Sequence, residues 1–312
     1  MMSGWKGLVS AGLLGLAAAC VVAGHDADPE DWPGMASLQA VQGRSVYHEC
    51  GATMISPEWA LTAGHCVEGI EIESDGRAAQ YFPDATGEKM QRFGPVVLVV
   101  GRGDLMEVPR SAVFPIQDIV VHPDYVPGAP EQGNDLALLH IEGTWTGPVA
   151  RLDGLGGMEV DLSGTASPQT FVAGYGKMGE GARNQSGVSR GGRHVSAPSL
   201  ILQEGMVPPV DMALCKQQVT DLIETYGMSD LLAGVSVDPD TQICAGVGGV
   251  DSCQGDSGGP LMLRTGDDTP VQIGVVSWGL GCARPDSPGI YMRISAYADW
   301  ISAVADGAEG PI

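Results

Sequence analysis

The sequence predicts an all-β protein with one short helix at its C-terminal end, and three observations support this. Short apolar runs recur along the chain, each bounded by clusters of Gly, Pro, Asn and Asp, which is the rhythm of strands joined by turns. Turn formers are plentiful, with 46 Gly and 21 Pro in 312 residues. Helical spacing of apolar residues marks the last segment, where Tyr297, Ile301 and Val304 recur with Ala298 and Trp300 beside them.

Residues 1–20 stand apart from the fold. Met1–Lys6 carries one Lys and no acid, Gly7–Ala19 is apolar but for Ser10, and Ala17-Ala18-Ala19-Cys20 closes the run with small residues. This three-part pattern predicts a secretory signal. It falls short of the roughly 20 apolar residues that a spanning helix needs. Export implies an oxidising compartment in which cysteines pair. Strands are expected at Ala52–Ile55, Val96–Val100, Ile116–Val121, Leu136–Ile141, Phe171–Ala173 and Ile273–Ser277. Two stretches read as long surface loops: Ile70–Phe93, charged and mixed, and Lys177–Pro198, dense in Gly, Ser and Arg. The chain is long enough for two packed units of roughly 100–150 residues each. Gly143–Pro148 reads as their connector, giving units at 21–147 and 148–312.

Charge narrows the partners. With 16 Lys and Arg against 38 Asp and Glu, the formal charge of −22 repels nucleic acid and gives a solvated acidic coat. Cysteines stand at 20, 50, 66, 215, 244, 253 and 282, an odd number. Cys20 lies at the signal boundary, and the remaining six can pair in many ways. None sits in a C-x-x-C pair or near a His-x-x-x-His, so no metal site and no cofactor is expected.

The chemistry concentrates in three segments. In Leu61-Thr62-Ala63-Gly64-His65-Cys66, small residues precede the His and a cysteine follows it. In Gly133-Asn134-Asp135-Leu136-Ala137-Leu138-Leu139, an acid stands at the mouth of an apolar strand. In Asp251-Ser252-Cys253-Gln254-Gly255-Asp256-Ser257-Gly258-Gly259-Pro260, glycines crowd one Ser, as a tight turn with accessible N–H groups requires.

In this order the three segments resemble the His, Asp and Ser motifs of the chymotrypsin/trypsin-like serine peptidases, in the trypsin-like subgroup and as a bacterial-type secreted member. Val21-Val22-Ala23-Gly24 and Ser277-Trp278-Gly279 extend the match over nearly all of 21–303. The resemblance implies two packed six-stranded antiparallel β-barrels, the first carrying His65 and Asp135, the second Ser257. It also implies a serine endopeptidase acting through an acyl-enzyme. His65 would serve as general base and acid, since an imidazole titrates near neutrality. Asp135 would hold its other ring nitrogen, and Ser257 would be the nucleophile. The backbone N–H groups of Gly255 and Ser257 would form the oxyanion hole. Ser277 would support Asp135, and Ser277, Trp278 and Gly279 would pair with the substrate backbone.

Asp251, six residues before Ser257, would lie at the base of the specificity pocket, with Gly279 and Gly289 in its walls. Cleavage after Arg or Lys follows, because a buried carboxylate needs a cation. The resemblance further implies the bridges Cys50–Cys66, Cys215–Cys244 and Cys253–Cys282. The chain departs from the family pattern at Tyr175, in place of a common Trp, and at Gly64, in place of a usual Ala. It also has extra residues at 70–93 and between Cys215 and Cys244. No oxygen ligand set for the calcium site of some members is recognisable. The partners expected are polypeptide substrates of a monomeric, secreted or periplasmic enzyme.

Activation in the family pairs a new N-terminus with the acid before the catalytic Ser, which here means Val21 with Asp256. Because Val21 follows the signal directly, export processing after Cys20 would release it. The alternative is lipid on Cys20, since Ala17-Ala18-Ala19-Cys20 loosely fits a lipobox. That would anchor the chain to a membrane and leave Asp256 to another partner such as His48.

Overall fold

A computed structural model describes residues 21–160, 168–189, 191–264 and 270–309. The signal expected over 1–20 lies outside the described residues. Strands predominate, with two α-helices among the described residues.

The first lobe is a closed barrel. Ser45–Met54, Met35–Gln42, Val96–Val100, Val113–Val121, Ala137–Ile141 and Trp59–Thr62 pair in that order, and the last returns to the first through Thr53↔Leu61 and Met54↔Ala60. Closure covers the Thr53–Met54 end of the edge of Ser45–Met54 and leaves its Ser45–Tyr47 end to another strand. Val113–Val121 begins with strict alternation, Phe114 and Ile116 inward and Pro115 and Gln117 outward. Val96–Val100 is buried throughout, so both of its faces are covered.

The second lobe orders Gln203–Met206, Gln169–Gly174, Pro260–Arg264, Val271–Trp278, Gly289–Arg293 and Gln242–Ala245 in one sheet. The chain after Met206 turns back onto the far edge. There Val210 N–H donates to the Cys244 carbonyl at 2.8 Å and Gly246 N–H to the Pro208 carbonyl at 2.9 Å. One apolar core runs through both lobes, from Leu38, Leu61 and Leu98 to Met262, Val275 and Met292.

The C-terminal helix, Ala298–Glu309, docks on the first lobe. Ile301 is fully buried, and the rings of Tyr297 and Trp300 meet His122 at 5.2 and 5.0 Å. No helix among the described residues is long and apolar enough to cross a membrane.

Three departures from the sequence reading stand out. Ile70–Phe93 is not a loop but a small antiparallel sheet of Ile70–Ile72, Ala78–Pro83 and Lys89–Phe93. Lys177–Pro198 contains a hairpin, Gln185–Val188 with His194–Ala197, and the latter strand runs parallel to Ser45–Tyr47 of the first lobe. A second helix, Met212–Thr225, fills the interval before Cys244. Asp211 caps it by accepting from the N–H groups of Ala213 and Leu214, and Cys215, Val219 and Ile223 form its buried stripe.

Candidate active site

His65 sits in a short 3-10 turn, Gly64–Val67, directly after the barrel strand Trp59–Thr62. The Cys50–Cys66 disulfide ties this turn to the neighbouring strand Ser45–Met54. Asp135 precedes the strand Ala137–Ile141, which lies beside Trp59–Thr62. Asn134 just before it adopts a positive φ of 55°, and Gly133 one of 90°, a sharp bend that aims the carboxylate. Barrel closure therefore brings the two residues together from distant parts of the chain.

The Asp135 carboxylate is fully buried and well satisfied. One oxygen accepts from the His65 backbone N–H at 2.8 Å, the other from His65 Nδ1 at 2.7 Å. Ser277 Oγ donates to the second oxygen at 2.5 Å. The carboxylate thus fixes both the backbone and the ring of His65, and leaves Nε2, 3.8 Å from Cys66 Sγ, as the ring nitrogen it does not hold. Glycine at 64 has a local cause: a Cβ there would lie 3.0 Å from the Tyr125 ring and 3.2 Å from Asp135 Oδ1. The cluster Cys50, His65 and Cys66 brings metal-binding atom types close together. The disulfide between the two sulfurs leaves no thiolate to ligate an ion.

Ser257 lies in the turn before the strand Pro260–Arg264. Its carbonyl accepts from Gly51 N–H at 2.7 Å, which couples this turn to the first lobe. Gly258 and Gly259 are needed for that approach: a Cβ would meet Thr62 Oγ1 at 2.2 Å at position 258 and the Asp256 carbonyl at 2.8 Å at position 259. Gly255 has φ 99°, in the region that favours glycine. Its carbonyl accepts from His48 Nε2 at 2.7 Å.

A cavity of about 200 Å³ is lined by Asp251, Ser257, Ser277, Trp278, Gly279 and Gly289 among others. Ser277 belongs both to this cavity and to the Asp135–His65 pair, so the two sets adjoin. Asp251 is 2% exposed, and its Oδ2 accepts from Ala283 N–H at 2.8 Å. Its Oδ1 is buried without a hydrogen-bond partner. Burial, and secondarily the charge of Asp256, pushes its pKa up to about 7. A Cβ at Gly289 would stand 3.1 Å from that free oxygen, so glycine keeps the approach to it open. Cys253–Cys282 braces the cavity wall, and Cys215–Cys244 ties the helix Met212–Thr225 to the sheet.

Asp256 is also fully buried, and accepts from the N–H groups of Gly176 at 2.8 Å and Cys253 at 2.9 Å. Burial raises its pKa to about 7. Val21 is buried too, and Val22 N–H donates to the Asp251 carbonyl at 3.1 Å. No hydrogen bond joins Val21 to Asp256 in this uncut chain. The sequence reading gave His48 no special place beyond its part in the lipid alternative. It is buried, its pKa is lowered to about 4, and it lies between Ser37 Oγ at 2.7 Å and the Gly255 carbonyl. Its position in an inward-outward strand, Ser45–Met54, was the available signal.

A buried carboxylate orients a histidine, and Ser277, bonded to that carboxylate, lines the same cavity as Ser257 in its glycine turn; these are the residue types that a hydrolase with a serine nucleophile uses. The sequence profile described as Trypsin matches residues 21–301. The chain is similar to a tryptase of Mus musculus, 33% identical over 90% of this chain and 87% of the relative. It is also similar to trypsin-1 of Astacus astacus, 32% identical over 91% of this chain and the whole of the relative. The chain belongs to the trypsin family and is a trypsin-like serine endopeptidase. Its substrates are polypeptides, and its three disulfides fit an oxidising compartment.

Proposed function

We propose that this enzyme hydrolyses peptide bonds after Arg and Lys. The observation that carries this reading is the free Asp251 Oδ1, buried at a cavity that Ser257 also lines. An entering guanidinium or ammonium would supply the missing partner. An apolar side chain would leave the carboxylate buried alone, at a cost of several kcal/mol.

In the cleavage step Ser257 Oγ attacks the carbonyl carbon while His65 Nε2 takes its proton. The oxyanion accepts from the backbone N–H groups of Gly255 and Ser257, each donor contributing about 3–4 kcal/mol in the transition state. His65 returns the proton to the departing amine, and water then hydrolyses the acyl-enzyme by the same route in reverse. Asp135 holds the tautomer and stabilises the imidazolium.

For activation, a cut before Val21 frees an ammonium for Asp256, a buried acid with no cationic side chain bonded to it among the described residues. The mature enzyme is then a secreted or periplasmic monomer.

Steady-state rates on matched arginyl and phenylalanyl peptides test the specificity. Wild type is expected to cleave the arginyl peptide alone, Asp251→Ser to lose most of that turnover, and Ser257→Ala to lose several orders of magnitude while staying folded. Equal wild-type rates on both peptides would overturn the reading.

A further inference from the structure

A second cavity, of about 870 Å³, lies between the loop 102–110 and the hairpin 185–197 and shares no residue with the first. Three guanidinium side chains line it: Arg102, Arg110 and Arg193. Val46, Leu105 and Val195 contribute apolar surface. The cationic groups are under-satisfied. Arg102 Nε is buried with no partner, although an Nη of the same side chain donates to the Glu107 carbonyl at 3.0 Å. Burial alone lowers the pKa of Arg193, with no carboxylate offsetting it. Of the two acids in the lining, Asp104 is engaged by Met106 N–H at 2.7 Å, and Glu107 is exposed. In a chain with 38 acidic and 16 basic residues, a cavity lined by three arginines against two acids, with Arg102 and Arg193 half-buried, reverses what composition favours. A recessed cation calls for an anion.

The same cavity is wired to the Ser257 turn. Gln39, in its lining, donates from Nε2 to Ser37 Oγ at 3.1 Å. Ser37 Oγ–H donates to His48 Nδ1 at 2.7 Å, and His48 Nε2–H donates to the Gly255 carbonyl at 2.7 Å. The direction is consistent from end to end, because a neutral imidazole accepts at one nitrogen and donates at the other. A second path runs beside it: Tyr175 donates its hydroxyl to the Arg102 carbonyl, and its ring meets that of His48 edge-on at 5.3 Å.

We propose that this cavity binds an organic carboxylate with an apolar body, and that its occupancy is relayed through Gln39, Ser37 and His48 to Gly255. The volume suits a ligand of that kind, since such sites span about 300–1,000 Å³. The carboxylate can belong to a free acid or to an acidic side chain flanked by apolar ones. The relay rests on the oxyanion role proposed for Gly255, whereas the binding does not.

Titration calorimetry on the mature enzyme tests the binding, with octanoate and the blocked peptide acetyl-Leu-Glu-Leu-Glu-Leu-amide as probes. Saturable binding of one or both is expected, weakened about tenfold or more by Arg102→Gln and by Arg193→Gln, and weakened by salt. Binding of octanoate alone assigns the site to free acids, and binding of the peptide alone assigns it to polypeptide segments. No binding of either probe, or wild-type affinity retained in both Gln variants, overturns the site. The relay is tested separately by turnover of a small arginyl substrate at a saturating concentration of the probe that binds. A change of at least twofold is expected in wild type and none in Gln39→Leu, with Ser37→Ala as the second variant should that one fail to fold. A bound probe that leaves wild-type turnover unchanged overturns the relay and leaves the catalytic reading untouched.

Discussion

Asp251 carries a carboxylate that burial has made hard to ionise, with a pKa of about 7 against an ordinary value near 3.8. A cation must therefore bind the ionised form, and acid competes with it. Affinity for a small aryl amidine is expected to fall as pH drops below about 7, while Asp251→Asn binds weakly at every pH. Calorimetry from pH 5 to 9 checks this, and a flat wild-type profile would contradict it. Ala23 gives a second single-residue case. It adopts a φ of 56°, the left-handed region that costs an L-residue about 1–2 kcal/mol. Ala23→Gly relieves that strain at some expense in chain entropy, so a net gain of about 0.5–1 kcal/mol is expected in urea unfolding. A loss of stability would refute the local account. This strain was not visible in the sequence, since it lies in a dihedral angle.

The helix Met212–Thr225 rests on its Asp211 cap and on the stripe of Cys215, Val219 and Ile223. Asp211→Ala should cost about 0.5–2 kcal/mol, felt first as faster hydrogen exchange at the first turn. Unchanged protection there would show that the cap is dispensable. Both signals were present in the sequence, an Asp before an i, i+4, i+8 spacing, but Lys, Gln and Thr between the apolar residues diluted them. Six strands of the two lobes, Val96–Val100 and Val271–Trp278 among them, were legible because they bury alternate or continuous apolar residues. Those of the small sheet and the hairpin were not: Lys89–Phe93 and Gln185–Val188 are mostly exposed. They are held by backbone pairing, which leaves no hydrophobic period to read. The site behaved in the opposite way. The resemblance of three motifs to the family's pointed to His65, Asp135, Ser257 and Asp251 as the expected site, yet gave no hint of the Gln39–Ser37–His48 chain, whose members come together only through pairing of Met35–Gln42 with Ser45–Met54.

Seen whole, the molecule has a buried acid, Asp256, waiting for a charge. Its pKa of about 7 in the folded chain lies above its unfolded value near 3.8, so the protonated form favours folding. That stability is fully present below about pH 4 and is lost as pH rises through about 7. An uncut form carrying extra residues before Val21 is therefore expected to lose melting temperature across this window. The form that starts at Val21 should lose less, because its ammonium compensates the carboxylate. Parallel melts from pH 4 to 8 measure the difference, and identical slopes would remove Asp256 from the activation account. Intact-mass measurement of active protein from its native host complements this, since a diacyl or triacyl adduct on Cys20 would exclude a free Val21.

The strand His194–Ala197 also bears on how the chain reaches its native state. It runs beside Ser45–Tyr47, so the second half of the chain completes a sheet begun in the first. During synthesis or export, that stretch of Ser45–Met54 emerges long before its partner. Pairing across so wide a separation slows folding, and an uncovered edge invites association with other chains. The first lobe produced alone should therefore self-associate, and the hairpin acts as an intramolecular guard that arrives late.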